Sequence, residues 1–182
     1  EEELESGDLL MVAKNNYFWT EGCKEIDFIA NGDIAEVVRV GRYTEMYGLR
    51  FAKVSLRFLE HDDIDLDVTL MLSVLNSDFP KLTQQDEQAL YEAVAFDYSD
   101  ITDKRKQVAA LRQDPWLNAL QVKFAYAVTC HKAQGGQWDV VFIDLGYVAE
   151  EQLTTELVKW LYTAITRAKK KVYLVNFPDD FF

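Results

Sequence analysis

The chain changes its hydrophobic rhythm twice. Over the first third, short apolar runs lie between turn residues. Leu9-Leu-Met-Val12 follows Gly7-Asp8 and reads as a strand. Phe28-Ile-Ala30 and the run from Ile34 to Val40 flank Asn31-Gly32. That pair predicts a type I′ hairpin turn, in which both central residues take positive φ. Phe51 to Phe58 alternates, with Ala52, Val54, Leu56 and Phe58 on one face and Lys53, Ser55 and Arg57 on the other. Val68 to Leu72 is its expected partner across an acidic tip at 60–67. Short strands joined by tight turns predict a small β-rich, SH3-like barrel over 1–80.

The rhythm then becomes helical. Thr83 precedes Gln84-Gln-Asp-Glu87, an N-terminal signature, and Leu90, Ala93 and Val94 supply an apolar stripe to about Phe96. A second helix is expected from Asp103 to Leu111, before Asp114-Pro115 breaks the chain. These form a helical connection over 81–120. From 121 the pattern turns α/β: a strand from Leu120 to Val128, a polar turn, the continuous apolar run Val140-Val-Phe-Ile143, a helix at 151–168 and the strand Val172-Tyr-Leu-Val175. Continuous apolar strands alternating with helices predict a buried parallel sheet over 121–182. The expected fold class is therefore α/β, with the β-rich module on the N-terminal side.

Composition narrows this only a little. Of 182 residues, 49% are hydrophobic and 27% charged, as in ordinary globular chains. No apolar run approaches the length of a transmembrane helix. The start, Glu1-Glu-Glu-Leu-Glu5, has neither initiator Met nor signal pattern, so a fragment of a longer chain is expected. Cys23 and Cys130 suit free thiols in a reducing compartment, and two Cys with two His are too few for a structural zinc site. The net charge of −12 argues against nucleic acid. Yet acid collects at 1–8 and 60–67, whereas Arg167 and Lys169-Lys-Lys171 cluster near the other end. Asp63-x-Asp65-x-Asp67 resembles the start of a calcium loop, but Val68 and Val74 stand where Gly and Glu are needed, so it reads as a solvated hairpin tip. No metal site is expected.

Two stretches carry candidate chemistry. Thr129, His131, Lys132 and Gln134 fall within six residues after an apolar strand and before Gly135-Gly136. Ligands of open parallel sheets bind at strand ends, and a Gly pair permits close backbone approach. In the 151–168 helix, Leu153, Leu157, Trp160, Leu161, Ala164 and Ala168 make one face; Lys159, Thr163, Thr166, Arg167 and Lys170 lie nearly opposite. A solvated polar side is the plain reading of that stripe. Two Thr beside an Arg also suit an anion. No nucleophile–base arrangement is present, since side chains of adjacent Cys130 and His131 diverge on an extended segment. No Gly-x-x-x-x-Gly-Lys-Ser/Thr phosphate loop occurs in the chain.

At these residues the sequence resembles superfamily 1 DNA helicases of the RecD-like branch, which include exonuclease V α subunits. Thr129-Cys-His-Lys-Ala-Gln-Gly-Gly-Gln-Trp-Asp-Val-Val141 resembles helicase motif V, and Tyr162-Thr-Ala-Ile-Thr-Arg-Ala-Lys169 resembles motif VI, in the right order and spacing. Gly7-Asp8, Asn15-Asn16-Tyr17 and Asn31-Gly32-Asp33 are similar to the opening of the SH3-like insertion of such proteins. The resemblance implies a partial RecA-like, P-loop-NTPase-type second lobe that works with a first lobe supplying the phosphate loop. It implies ATP as nucleotide, with Mg²⁺ held mainly by that other lobe. Arg167 becomes the arginine finger, and Gly136, Gln137 and Gln134 lie near the nucleotide. Thr129, His131, Lys132 and Asn15 contact single-stranded DNA. Many relatives carry Glu where Gln137 stands, which puts its ribose contact in doubt. Nuclease subunits are further implied partners, without a membrane, in a bacterial cytoplasm near the nucleoid. The rival class is a non-catalytic helicase-like module serving protein assembly.

Overall fold

The computed structural model describes residues 4–59, 61, 64–146 and 154–178. Two compact units, Glu1–Tyr126 and Ala127–Phe182, divide the chain. The helical stretch at 81–120 lies within the first.

Alternation along the strands builds the first unit. Strands β1 (Leu9–Val12), β2 (Ile34–Met46), β3 (Leu49–Phe58), β4 (Ile64–Met71) and β5 (Val122–Phe124) form one sheet in the order β4-β3-β2-β1-β5. Every pairing in it is antiparallel. The inward residues Val54, Leu56 and Phe58 of β3 join a core with Leu10, Val12, Val37 and Leu70. On the outer face Arg57 forks the Asp65 carboxylate at 2.8 and 3.0 Å, and that hydrogen bonding holds the Asp65 carboxyl below its ordinary value. Leu120, just before β5, bridges the far edge: its N–H donates to Thr69 O at 2.8 Å, and Met71 N–H donates to Leu120 O at 2.9 Å. The strand expected over 120–128 is thus three residues long and belongs to the antiparallel sheet.

The expected hairpin at Asn31-Gly32 is not formed. Only Gly32 takes positive φ (106°), Ile29 bridges Asn16, and β2 pairs with β1 and β3. Side chains hold this turn instead: Asp33 Oδ2 accepts the Ala30 N–H at 2.8 Å, and Asn15 Oδ1 accepts the Asn31 N–H at 2.7 Å. The two-residue turn with both φ positive is Tyr47-Gly48 (55° and 71°), closing β2 onto β3 at the Met46–Leu49 pair.

Helices α1 (Leu72–Leu75), α2 (Gln84–Asp97) and α3 (Lys104–Arg112) follow β4. Thr83 caps α2 through the Asp86 N–H, and Asp103 caps α3 through the Arg105 and Lys106 N–H groups. Leu90, Val94 and Leu111 pack with Phe51, Met71, Val74, Leu82 and Ala119 in a second core. Tyr47 lies beside it, donating to Asp97 Oδ2 at 2.7 Å. Burial first, then this carboxylate, pushes the phenol above its ordinary 10.0. A phenol that keeps its proton longer folded than unfolded stabilises below the unfolded value and loses that contribution as pH rises. Melting scans should therefore show the chain losing stability above pH ~10 more steeply than Tyr47→Phe. Parallel curves would reject this linkage.

The second unit contains β6 (Trp138–Asp144), α4 (Thr155–Ile165) and β7 (Ala168–Val175), with β6 and β7 parallel. The α/β class holds, but among the described residues most strand pairing is antiparallel, and the expected parallel sheet shows two strands. The expected helix over 151–168 ends at Ile165. Arg167 follows it, Ala168 and Lys170 belong to β7, and Leu153 lies outside the described residues. The buried run expected at Val140–Ile143 is buried only at Ile143, with Phe142 69% exposed. Among the described residues one neighbouring strand and one short helix pack with it, which leaves Val140 and Phe142 exposed and Val141 half-buried. Among the described residues no helix is long and apolar enough to cross a membrane.

Candidate functional site

The turn between Thr129 and Trp138 meets the end of α4. Ala133 N–H donates to Thr129 O at 3.0 Å, Gln134 N–H to His131 O at 3.3 Å, and Gly136 N–H to Ala133 O at 3.2 Å. These local bonds coil the segment and bury Ala133, leaving Thr129, His131, Lys132 and Gln134 at the surface. The glycine pair has two separate reasons. Gly135 sits at φ 92°, in the left-handed region. Gly136 lies against the far edge of the Trp138 indole, which would have to shift to admit a Cβ there.

Parallel pairing of β6 and β7 then sets the site. Trp138 N–H donates to Arg167 O at 2.9 Å, and the Gln137 amide reaches Thr166 O at 3.5 Å. The Arg167 guanidinium is fixed by three acceptors: Nε donates to Thr163 O at 3.1 Å, Nη1 to Gly136 O at 3.2 Å and Nη2 to Thr166 Oγ1 at 3.2 Å. A guanidinium has five N–H groups. One hydrogen on each terminal nitrogen is left over from these contacts, a pair suited to an oxyanion.

The two threonines do a different job from the anion contact that their stripe suggests. Thr163 Oγ1 donates to Lys159 O and Thr166 Oγ1 donates to Thr163 O, each at 2.9 Å. Both hydroxyls bond back to carbonyls at the helix end, and Arg167 is seated by the Thr163 carbonyl and the Thr166 hydroxyl. The Cys130 thiol faces Trp160 O at 3.4 Å; burial pushes its pKa up, while the Arg167 charge pulls the other way. It is poorly set as a nucleophile. Among the described residues no group of His, Cys, Asp and Glu could hold a metal ion.

The structure therefore brings Gly136, Gln137 and Arg167 together and places Thr129, His131, Lys132 and Gln134 on the adjoining turn. Asn15 belongs to the other unit, where its side-chain oxygen serves the Asn31 N–H. Trp138 is the residue that sequence reasoning passed over. Its signal was the Gly-Gly-x-Trp spacing, which lets an indole fold back over a glycine.

The class of domain is marked by residues 124–175, which match the UvrD-like helicase C-terminal domain family. Among particular proteins, the RecBCD enzyme subunit RecD of Mycobacterium tuberculosis is 46% identical over 55 residues, 30% of this chain and 9% of that protein. Two uncharacterized proteins also align: MJ1519 of Methanocaldococcus jannaschii, 38% identical over 55 residues (30% of this chain, 4% of that protein), and R530 of Acanthamoeba polyphaga mimivirus, 33% over 52 (29% and 10%). The matched stretch spans a tenth or less of each relative. These likenesses, confined to one stretch of the chain, support a partial RecD-like helicase C-terminal region there and, at that level, a helicase-family function.

Proposed function

We propose that this chain supplies part of the second RecA-like lobe of an ATP-dependent DNA helicase, which translocates on single-stranded DNA and unwinds duplex. The first unit is its SH3-like inserted module, and a first lobe of the same protein is its main partner. The observation that carries this reading is the Arg167 guanidinium, locked at 3.1–3.2 Å by Thr163, Gly136 and Thr166 with one N–H left on each terminal nitrogen. A fork fixed before the anion arrives costs little reorganisation, as a transition-state charge stabiliser requires. The uncovered apolar residues of β6 and α4 fit a unit completed by further chain.

The residues fit one edge of a nucleoside triphosphate. Arg167 takes the γ-phosphoryl oxygens, Gln137 offers an amide to a ribose hydroxyl, and Gly136 with Gln134 lines the approach. They do not fit Mg²⁺: among the described residues no group of His, Cys, Asp and Glu could hold the ion, so its ligands would have to come from the other lobe. Thr129, His131 and Lys132 grip the sugar–phosphate backbone from the exposed turn, with Asn15 as a further contact. Nuclease subunits remain partners of the whole protein under this reading.

The turn is tested directly on the 182-residue chain. Oligothymidylate should bind weakly with a steep salt dependence. His131→Ala/Lys132→Ala should lower affinity about tenfold and reduce the salt slope by about one unit. Equal affinity and slope in the double variant would remove the turn from the strand path. The chain alone should show no ATP turnover, and hydrolysis by it would overturn the half-motor reading.

A further inference from the structure

We infer that the outer face of β2–β3–β4 is a docking groove for an acidic peptide segment of a partner protein, anchored by a bulky apolar side chain. The groove encloses about 590 Å³. Trp19 and Trp116 line it together with Arg39, Arg42 and Lys53, and Asp67 is the acidic residue among its lining. On a chain of net charge −12, three cations around one cavity reverse the local sign.

Register explains the grouping. Arg39 pairs with Ser55, Ser55 with Asp67 and Lys53 with Thr69, so alternation puts these side chains on one face. Arg42 joins them because the β2 register slips between Val40 and Tyr43. Gly41 permits that bulge: a Cβ there would stand 2.9 Å from the Lys53 carbonyl oxygen. Asp67 leaves the positive charge largely in place. It accepts from the Ser55 hydroxyl and lies 3.7 Å from Arg39, whereas Arg42 and Lys53 have no ion pair among the described residues.

The ring geometry favours peptide over nucleic acid. Trp19 donates its indole N–H to Asn118 O at 2.8 Å, and Trp116 packs edge-on against Phe51 with centroids 5.0 Å apart. Both are half-buried walls, whereas base stacking uses open ring faces. A strand leaving the groove along the sheet would next meet the row Glu36–Arg57–Asp65, where two carboxylates flank one cation. A short acidic segment avoids that row. This inference stands on the first unit alone and is independent of the helicase reading.

The test uses the 182-residue chain and a fluorescein-labelled peptide, acetyl-Asp-Glu-Asp-Leu-Phe-Asp-Glu-amide. Controls are the same peptide with Asn and Gln for the acids, one with Ser for Leu-Phe, and oligothymidylate. The acidic anchored peptide should bind in the micromolar range, shift tryptophan emission, and lose about tenfold in affinity against Arg42→Glu/Lys53→Glu. Should that variant lose its circular dichroism, the milder Arg42→Gln on an exposed side chain should still weaken binding severalfold. Each control peptide should bind more weakly than the parent. Unchanged binding by the variants, or equal binding of either control peptide, would overturn the proposal. So would oligothymidylate that displaces the peptide and is itself lost in the double variant. Oligothymidylate binding that survives this variant but falls in His131→Ala/Lys132→Ala belongs to the other unit and leaves both readings intact.

Discussion

Arg167→Ala in the parent protein should lower DNA-stimulated ATP turnover about a thousandfold or more while nucleotide affinity changes only severalfold. The asymmetry follows from the geometry. Three hydrogen bonds from Arg167 go to this chain's own acceptors, and under the proposed reading its leftover N–H groups would meet charge that grows only as a phosphoryl group transfers. A loss in ground-state binding would instead raise KM at unchanged kcat. Arg167 also anchors Gly136 and Thr166, so its removal could loosen the turn. Trp138 reports on that, because its indole lies against Gly136 and its backbone N–H donates to Arg167 O. Arg167→Lys keeps the charge without the fork; it should leave tryptophan emission near that of the parent and recover only a small part of turnover. Full turnover in either variant would sink the finger assignment. Turnover lost together with nucleotide affinity and the Trp138 signal would assign Arg167 a positioning role only.

How far the sequence could be read depended on whether a signal was local. The β3 alternation, the Thr83 cap, the helix near 103–111 and Leu9–Val12 rest on residues within a few positions of one another, and they appear close to where expected, with Asp103 capping the helix expected to begin there. Pairing choices do not. Asn31-Gly32 carries the usual turn composition, yet Asn15 and Asp33 side chains impose a different turn, while Tyr47-Gly48 closes the hairpin because β2 and β3 demand it. Val122–Phe124 looked like the start of the α/β section, but its partner is β1, more than a hundred residues earlier. At the candidate site, residue types in order singled out Arg167, Gly136 and Gln137, which lie near one another in the second unit. The seat of Arg167 was largely hidden, because two of its three acceptors are the carbonyls of Thr163 and Gly136, groups that every residue type carries. The cationic groove was hidden for a related reason: a one-residue bulge at Gly41 decides where Arg42 points.

Phe51→Ala should destabilise the first unit by about 3–5 kcal/mol, against less than about 0.5 kcal/mol for Phe142→Ala. Composition makes the two residues equivalent, since both are Phe on apolar strands. Phe51 is 1% exposed, stands opposite Met71 on β4, and places its ring edge-on to Trp116 at 5.0 Å. It joins the sheet to α2 and α3 through the core that holds Leu90, Val94 and Leu111. Removing the ring opens a cavity that the sheet cannot close, because β3 is pinned on both sides by β2 and β4. Phe142 is 69% exposed and loses only its stacking on Tyr173, 4.7 Å away. Urea titrations followed by circular dichroism and tryptophan emission separate the cases, since Trp116 should report the Phe51→Ala transition at a lower midpoint with both probes coincident. Equal midpoints for the two variants would mean that the helices are held to the sheet by something other than this ring. A Phe142→Ala loss as large as that of Phe51→Ala would mean that β6 is covered in solution, and the apolar face of the second unit would then already have its partner.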